Sequence, residues 1–170
     1  MDDQMRNVKK GEPGELAVRG PGVMSEYYRN PEATQKTLID GWLMTGDMAR
    51  VDEDGFIWLV DRKKDIIITG GENIFPVEIE DFLIENANIQ DAAVIGVPDE
   101  RLGEAVTAII KLKPGKQMTE KDVEKYCEGL PRYKRPKKII FDDVPRNPTG
   151  KIEKPKLRKK YAGFAESFKL

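Results

Sequence analysis

The sequence predicts an α+β fold in two parts, a strand-rich front and a compact back domain containing helices. Two observations carry this. Before Asp61 the apolar residues fall in short β-type runs broken by Gly and Pro, with one brief helical signal. After Asp65, apolar residues at helical spacing alternate with β-rich runs. The stretch between them, "DRKKD", is short and charged, which suits a pivot better than a flexible tether.

In the front part, Gly14 and the Gly20-Pro21-Gly22 cluster bracket a strand over Glu15–Arg19, with Leu16 and Val18 on one face. "NPEATQKTLI" reads as a short helix capped by Asn30, with Pro31 in its first turn. "GWLMTGDMARVDEDGFIWLVDR" reads as strand, break at Thr45-Gly46-Asp47, strand, a tight turn over Asp52–Gly55, and strand. Phe56–Val60 is apolar without alternation, so it is expected to be covered on both faces.

In the back part, Ile66–Ile68 is a short strand and Gly70-Gly71 opens a loop. Phe75, Ile79, Phe82 and Leu83 then mark an amphipathic helix. "DAAVIGVPD" and "EAVTAIIKL" are two strands around a polar turn. Thr119 with Asp122 forms a capping box, and Val123, Tyr126, Cys127 and Leu130 make one helical face, which places Cys127 in packing rather than catalysis. "KKIIFD" is a further strand. Leu157, Tyr161, Phe164 and Phe168 suggest a final helix.

Composition narrows the function. The 170 residues suffice for one domain or two small ones with a real core. Net charge is −1, so no overall field recruits nucleic acid or membrane. Arg132–Lys160 nevertheless holds twelve Lys/Arg against three Asp/Glu, a run that suits solvent or a polyanionic ligand. No apolar stretch reaches membrane-spanning length, and the lone Cys127 excludes a disulfide framework, so a cytoplasmic location is expected. Histidine is absent, which removes the usual general base and the commonest metal ligand. Catalysis here would run on Lys, Arg, Asp and backbone groups, with no metal site expected.

"NPTGK", Asn147 to Lys151, invites comparison with a phosphate-binding P-loop. The comparison fails, since Pro145 stands where glycine is needed and Ile152 where a metal-binding hydroxyl is needed. Pro148 also removes an N–H donor. What remains is a turn that holds one lysine at a loop tip.

Taken in order, "GELAVRGPG", "GWLMTGD", "DEDGFIWLVDRKKDIIITGGENIFPVEIE", "LPRYKRP" and "VPRNPTGKIEKPKLR" resemble the C-terminal part of the AMP-forming adenylating enzymes. These are the acyl-CoA synthetases, nonribosomal adenylation domains and luciferases. Each motif is weak alone, whereas five in order over residues 10–162 are specific. The resemblance implies that residues 1–60 are the last strand-rich subdomain of a large N-terminal adenylating domain. It makes residues 61–170 a lid domain, with a small central antiparallel sheet flanked by helices and a hinge near 61–65.

The implied activity is that of an acid–thiol ligase. A carboxylic acid and ATP give an acyl-adenylate and pyrophosphate, and CoA then takes the acyl group and releases AMP. ATP, dependent on magnesium through the missing N-terminal domain, and CoA are the implied cofactors, and the fragment is expected to be inactive alone. The resemblance makes Asp47 the acceptor of both ribose hydroxyls, a task two carboxylate oxygens suit. It makes Arg62 a contact to ribose and phosphate, and Lys64 the hinge residue. Gly71 would line the pantetheine tunnel, where a missing Cβ lets backbone approach a thin ligand. Lys151 would be the adenylation lysine between the acid carboxylate and the α-phosphate. Glu78 and Glu80 read as helix-surface or interdomain contacts. Two other readings stand beside this one: an adenylation domain serving a carrier protein, and a non-catalytic module binding a nucleotide or partner. The absence of a carrier serine motif after Leu170 favours CoA.

Overall fold

The computed structural model describes residues 1–161. Phe164 and Phe168 of the expected final helix lie outside the described residues. The chain divides into two compact units, Met1–Lys64 and Asp65–Leu170, so the division falls within the Asp61–Asp65 stretch.

The first unit is built on one long strand. Strand β1 (Gly14–Val18) is followed by helix α1 (Pro31–Thr37), β2 (Leu38–Ile39), β3 (Trp42–Val51) and β4 (Ile57–Arg62), and β1, β2 and β4 all pair antiparallel with β3. Asn30 caps α1 as expected, its side chain accepting from the Ala33 N–H.

The expected break at Thr45-Gly46-Asp47 does not occur; β3 runs through as a bulge. Glu15 faces Met48 and Ala17 faces Met44, so Thr45, Gly46 and Asp47 stand opposite Leu16 alone. Side chains satisfy the backbone groups that the bulge removes from the ladder. The Gly46 N–H donates to Glu15 Oε1 at 3.0 Å, and the Thr45 hydroxyl donates to the Leu16 carbonyl at 2.8 Å. Glycine supplies the φ of +73° needed at position 46. This also corrects the facing of β1: Glu15 is buried and Val18 exposed, because the Glu15 carboxylate serves the bulge.

A second correction concerns β4. Phe56, Ile57, Trp58 and Leu59 are each more than half exposed, not covered on both faces. A non-alternating apolar run demands partners on two sides, and residues 1–64 do not supply them. The Trp58 indole N–H instead donates to Asp52 Oδ2 at 2.6 Å, and the tight turn closes with Gly55 at φ +90°.

The second unit contains β5 (Ile67–Thr69), β6 (Glu72–Ile74), α2 (Pro76–Ile84), β7 (Ile89–Asp99), β8 (Gly103–Leu112), α3 (Glu120–Tyr126), β9 (Lys138–Phe141) and α4 (Lys154–Tyr161). The sheet order is β6-β5-β8-β7, antiparallel throughout, and β9 joins β8 in parallel. The β7–β8 hairpin is its backbone, paired from Asp91↔Lys111 to Asp99↔Gly103.

Here both faces are covered. Ala92, Val94, Val106 and Ile110 pack beneath α2 and α3, while Ala93, Ile95, Ile109 and Leu157 of α4 form a second cluster. The Thr119–Asp122 capping box is present, and Cys127 lies buried in the first cluster. Among the described residues no helix is long and apolar enough to cross a membrane.

Candidate functional site

Of the expected site residues, the first unit brings two together. Asp47 and Arg62 are cross-strand partners on β3 and β4, and Arg62 Nη1 lies 2.8 Å from Asp47 Oδ1. The bulge places Asp47: its N–H is held by the Thr45 hydroxyl at 3.1 Å. A carboxylate has about four lone-pair sites, so one guanidinium leaves Asp47 able to accept from hydroxyl donors. Arg62 is half exposed, and among the described residues only its Nη1 is paired, which leaves N–H groups for an anion.

Lys64 sits in a 3₁₀ turn, Lys63–Asp65, at the boundary between the units. Its two neighbours are tied down in opposite directions. The Lys63 ammonium bonds Asp3 at 2.8 Å and Glu15 at 3.0 Å, both in the first unit. Those carboxylates, Asp3 most, hold it above the usual ammonium pKa against desolvation. Asp65 is buried and paired with Arg158 of α4 at 2.7 Å, in the second unit. Lys64 itself is exposed between them.

Gly71 is placed in a hairpin where the sequence suggested an open loop. Thr69 pairs with Glu72, so Gly70-Gly71 is a two-residue turn. Both glycines have positive φ, +58° and +87°, the signature of a type I′ turn. Backbone geometry therefore asks for glycine equally at 70 and 71. The Gly70 N–H donates to the Leu102 carbonyl at 2.8 Å, anchoring the turn at the tip of the β7–β8 hairpin.

Lys151 is the last residue of a closed turn. The Asn147 carboxamide oxygen accepts from the N–H groups of Thr149 (3.1 Å) and Lys151 (2.9 Å) and from the Thr149 hydroxyl. The Asn147 N–H donates to the Lys151 carbonyl, and Arg146 bridges to Ile152. The Lys151 side chain is exposed and forms no ion pair among the described residues. Arg146 fixes the turn to β7 through a two-pronged contact with Asp91, at 2.7 Å for both Nε and Nη2.

Gly71 and Lys151 do not converge. The Gly70-Gly71 turn is anchored beside Gly103 and the Lys151 turn beside Asp91, the partner of Lys111. Gly103 to Lys111 is eight residues of β8, about 26 Å of antiparallel strand.

Sequence reasoning missed the groups that brace these turns. Glu80 is not on the helix surface: it is 6% exposed, accepts from the Val94 N–H at 2.8 Å and pairs with Lys154 at 2.9 Å. Glu78 does lie at the surface, paired with Lys134. Neither Glu80–Lys154 nor Asp91–Arg146 has a local signal, since the partners are far apart in sequence. Cys127 is buried in the core, and burial pushes its thiol up to about 11, which disfavours the thiolate.

With this geometry established, the likeness to known proteins is specific. Residues 78–151 match the family model of the AMP-binding enzyme C-terminal domain. The chain is 44% identical over 158 residues to the indoleacetate–CoA ligase of Aromatoleum aromaticum, covering 92% of this chain and 31% of that protein. It is 41% identical over 157 residues to the long-chain-fatty-acid–CoA ligase FadD13 of Mycobacterium tuberculosis, covering 91% and 31%. Among solved structures, ATP-bound MatB from Rhodopseudomonas palustris superposes with a TM-score of 0.85 at 40% identity, over 91% of this chain and 31% of that one. The o-succinylbenzoate CoA synthetase of Bacillus subtilis, in complex with its acyl-adenylate intermediate, gives 0.81 at 35% identity over 89% and 31%. The chain thus spans about three-tenths of the length of the curated relatives it matches.

Proposed function

This chain carries the C-terminal domain of the AMP-binding enzymes, and on that premise we propose that it is the C-terminal part of an ATP-dependent, AMP-forming acyl-CoA ligase. One observation supports this best. Two loops suited to different steps stand at opposite ends of a single hairpin, behind a pivot whose flanking residues are tied to different units.

In the first half-reaction the acid's carboxylate oxygen attacks the α-phosphorus of ATP and pyrophosphate leaves. Asp47 accepts the ribose hydroxyls, with Arg62 holding it and meeting ribose and phosphate. The Lys151 ammonium stabilises the negative charge that builds between carboxylate and α-phosphate. In the second, the unit beginning at Asp65 turns about Lys64. Lys151 leaves and the Gly70-Gly71 turn lines the path of the pantetheine arm. The CoA thiol attacks the acyl carbonyl, AMP departs, and the thiol proton goes to solvent. Residues 1–64 then act as the end of the adenylating domain and 65–170 as its lid. Part of the basic run between Arg132 and Lys160 faces a nucleotide phosphate, and the buried free thiol fits a reducing cytoplasm. Relatives named for a long-chain fatty acid and for indoleacetate match about equally well, so this portion serves acids of unlike shape. A fatty acid is the first substrate to assay.

The 170-residue chain alone is expected to show no ATP–pyrophosphate exchange, whereas the full-length protein forms acyl-CoA and AMP. Exchange by the chain above a Lys151→Ala control, or release of ADP by the full-length protein, would overturn the reading.

The pivot has its own test. A 3₁₀ residue has φ near that of proline, so Lys64→Pro locks the turn observed at Lys63–Asp65. With the two half-reactions measured separately, one should survive and the other fall by at least about tenfold. Wild-type rates in both would remove Lys64 from the role.

A further inference from the structure

The two turns are each clamped to the β7–β8 hairpin by a different side chain. At the Asp91 end, the Arg146 guanidinium uses Nε and Nη2 on the Asp91 carboxylate and Nη1 on the Gly150 carbonyl. That carbonyl belongs to the peptide whose N–H is Lys151's own, and this N–H is held by Asn147. The peptide before Lys151 is therefore gripped on both edges, one grip leading to the sheet. A planar guanidinium fixes position and rotation together, which a single hydrogen bond does not.

At the other end the corresponding group is Glu104. Its Oε2 accepts from the Ile68 N–H at 2.8 Å, two residues before the Gly70-Gly71 turn. Its carboxylate lies over Gly96, where an added Cβ would meet Glu104 Oε1 at 2.6 Å. Glycine at 96 leaves the space in which the Glu104 carboxylate reaches across from β8 to β5.

We propose that Arg146, through Asp91, is a positioning residue for Lys151 in adenylation only, and that Glu104 is its counterpart for the Gly70-Gly71 turn in thioester formation only. The inference rests on the half-reaction roles proposed above for Lys151 and Gly71. Neither residue touches substrate; each sets the placement of a loop that does, and displacement by about 1 Å is enough to lose about 10²-fold in rate.

The test is a crossover in the full-length enzyme. Pyrophosphate exchange is measured for the first half-reaction, and acyl transfer from presynthesised acyl-adenylate to CoA for the second. Arg146→Ala should lower kcat for exchange by about 10- to 100-fold, leaving the KM for ATP and the transfer rate within about twofold. Arg146→Lys should restore only part, having lost the fork. Glu104→Ala should do the reverse, as should Gly96→Ala, which displaces the carboxylate without altering it, whereas Glu104→Gln keeps an acceptor for Ile68 and should recover. A second readout needs no chemistry: in the 170-residue chain, amide hydrogen exchange should quicken at Lys151 in Arg146→Ala and at Ile68 and Gly70 in Glu104→Ala. Equal losses in both half-reactions, or no loss in either while Lys151→Ala abolishes exchange of pyrophosphate, overturn the positioning roles. If Lys151→Ala itself leaves that activity intact, the functional reading fails instead, and the crossover in amide exchange still decides whether each clamp places its own loop.

Discussion

Replacing Lys151 by alanine in the full-length enzyme is expected to lower adenylation by about 10²- to 10³-fold, the loss seen when one preorganised charge-stabilising donor is removed. Acyl transfer from a presynthesised acyl-adenylate should continue at the wild-type rate. The loop geometry makes this a clean experiment. The contacts that Lys151 itself makes within the turn use its backbone, through Asn147, and among the described residues none uses its ammonium. Truncating the side chain therefore removes a charge and leaves the turn in place. Lys151→Arg should not restore the rate, since a broader, weakly hydrated fork replaces a compact point charge. A parallel fall in both half-reactions would show that Lys151 acts elsewhere, or that the turn depends on it after all.

The fold was legible wherever local chemistry decides the outcome. Asn30, Thr119 and Asp122 announce helix starts through side chains that satisfy nearby N–H groups, Pro31 through its fixed φ, and those helices form where expected. The same logic fails where partners are distant. Phe56–Val60 and the β7–β8 strands carry one signal, apolar residues without alternation, yet the first run is exposed and the second buried on both faces. Periodicity reports what a strand demands, and the demand is met only if other segments of the unit fold over it.

The candidate site divides in the same way. Residue chemistry and motif order pointed to Asp47, Arg62, Lys64, Gly71 and Lys151, and the structure pairs the first two across β3 and β4. It does not separate Gly71 from Gly70, because both positions need positive φ. The bracing pairs were illegible. Asp91 and Arg146 meet only through tertiary folding, and Glu80 looks from its helix position like any surface carboxylate.

That buried carboxylate leads to the largest expected effect on stability. Lys154→Met should destabilise the chain by about 3–5 kcal/mol, the cost of removing one partner from a buried ion pair. Lys154 and Glu80 are both nearly inaccessible, and their 2.9 Å contact ties the first residue of α4 to α2, beside the Val94 backbone. Methionine matches the aliphatic stem of lysine, so packing is largely kept and the loss reports the charge left behind. The double variant Glu80→Gln/Lys154→Met tests that account. Glutamine still offers an oxygen to the Val94 N–H and carries no charge to strand, so the double variant should be more stable than Lys154→Met alone. The coupling, measured by urea unfolding, should exceed about 1 kcal/mol. A loss below about 1 kcal/mol for Lys154→Met would mean that the Glu80 carboxylate gains little from its ammonium partner. Because α4 begins three residues after Lys151, the same variant should also loosen the Asn147–Lys151 turn from its C-terminal side. Adenylation should then fall further than thioester formation at temperatures where the fold is still intact.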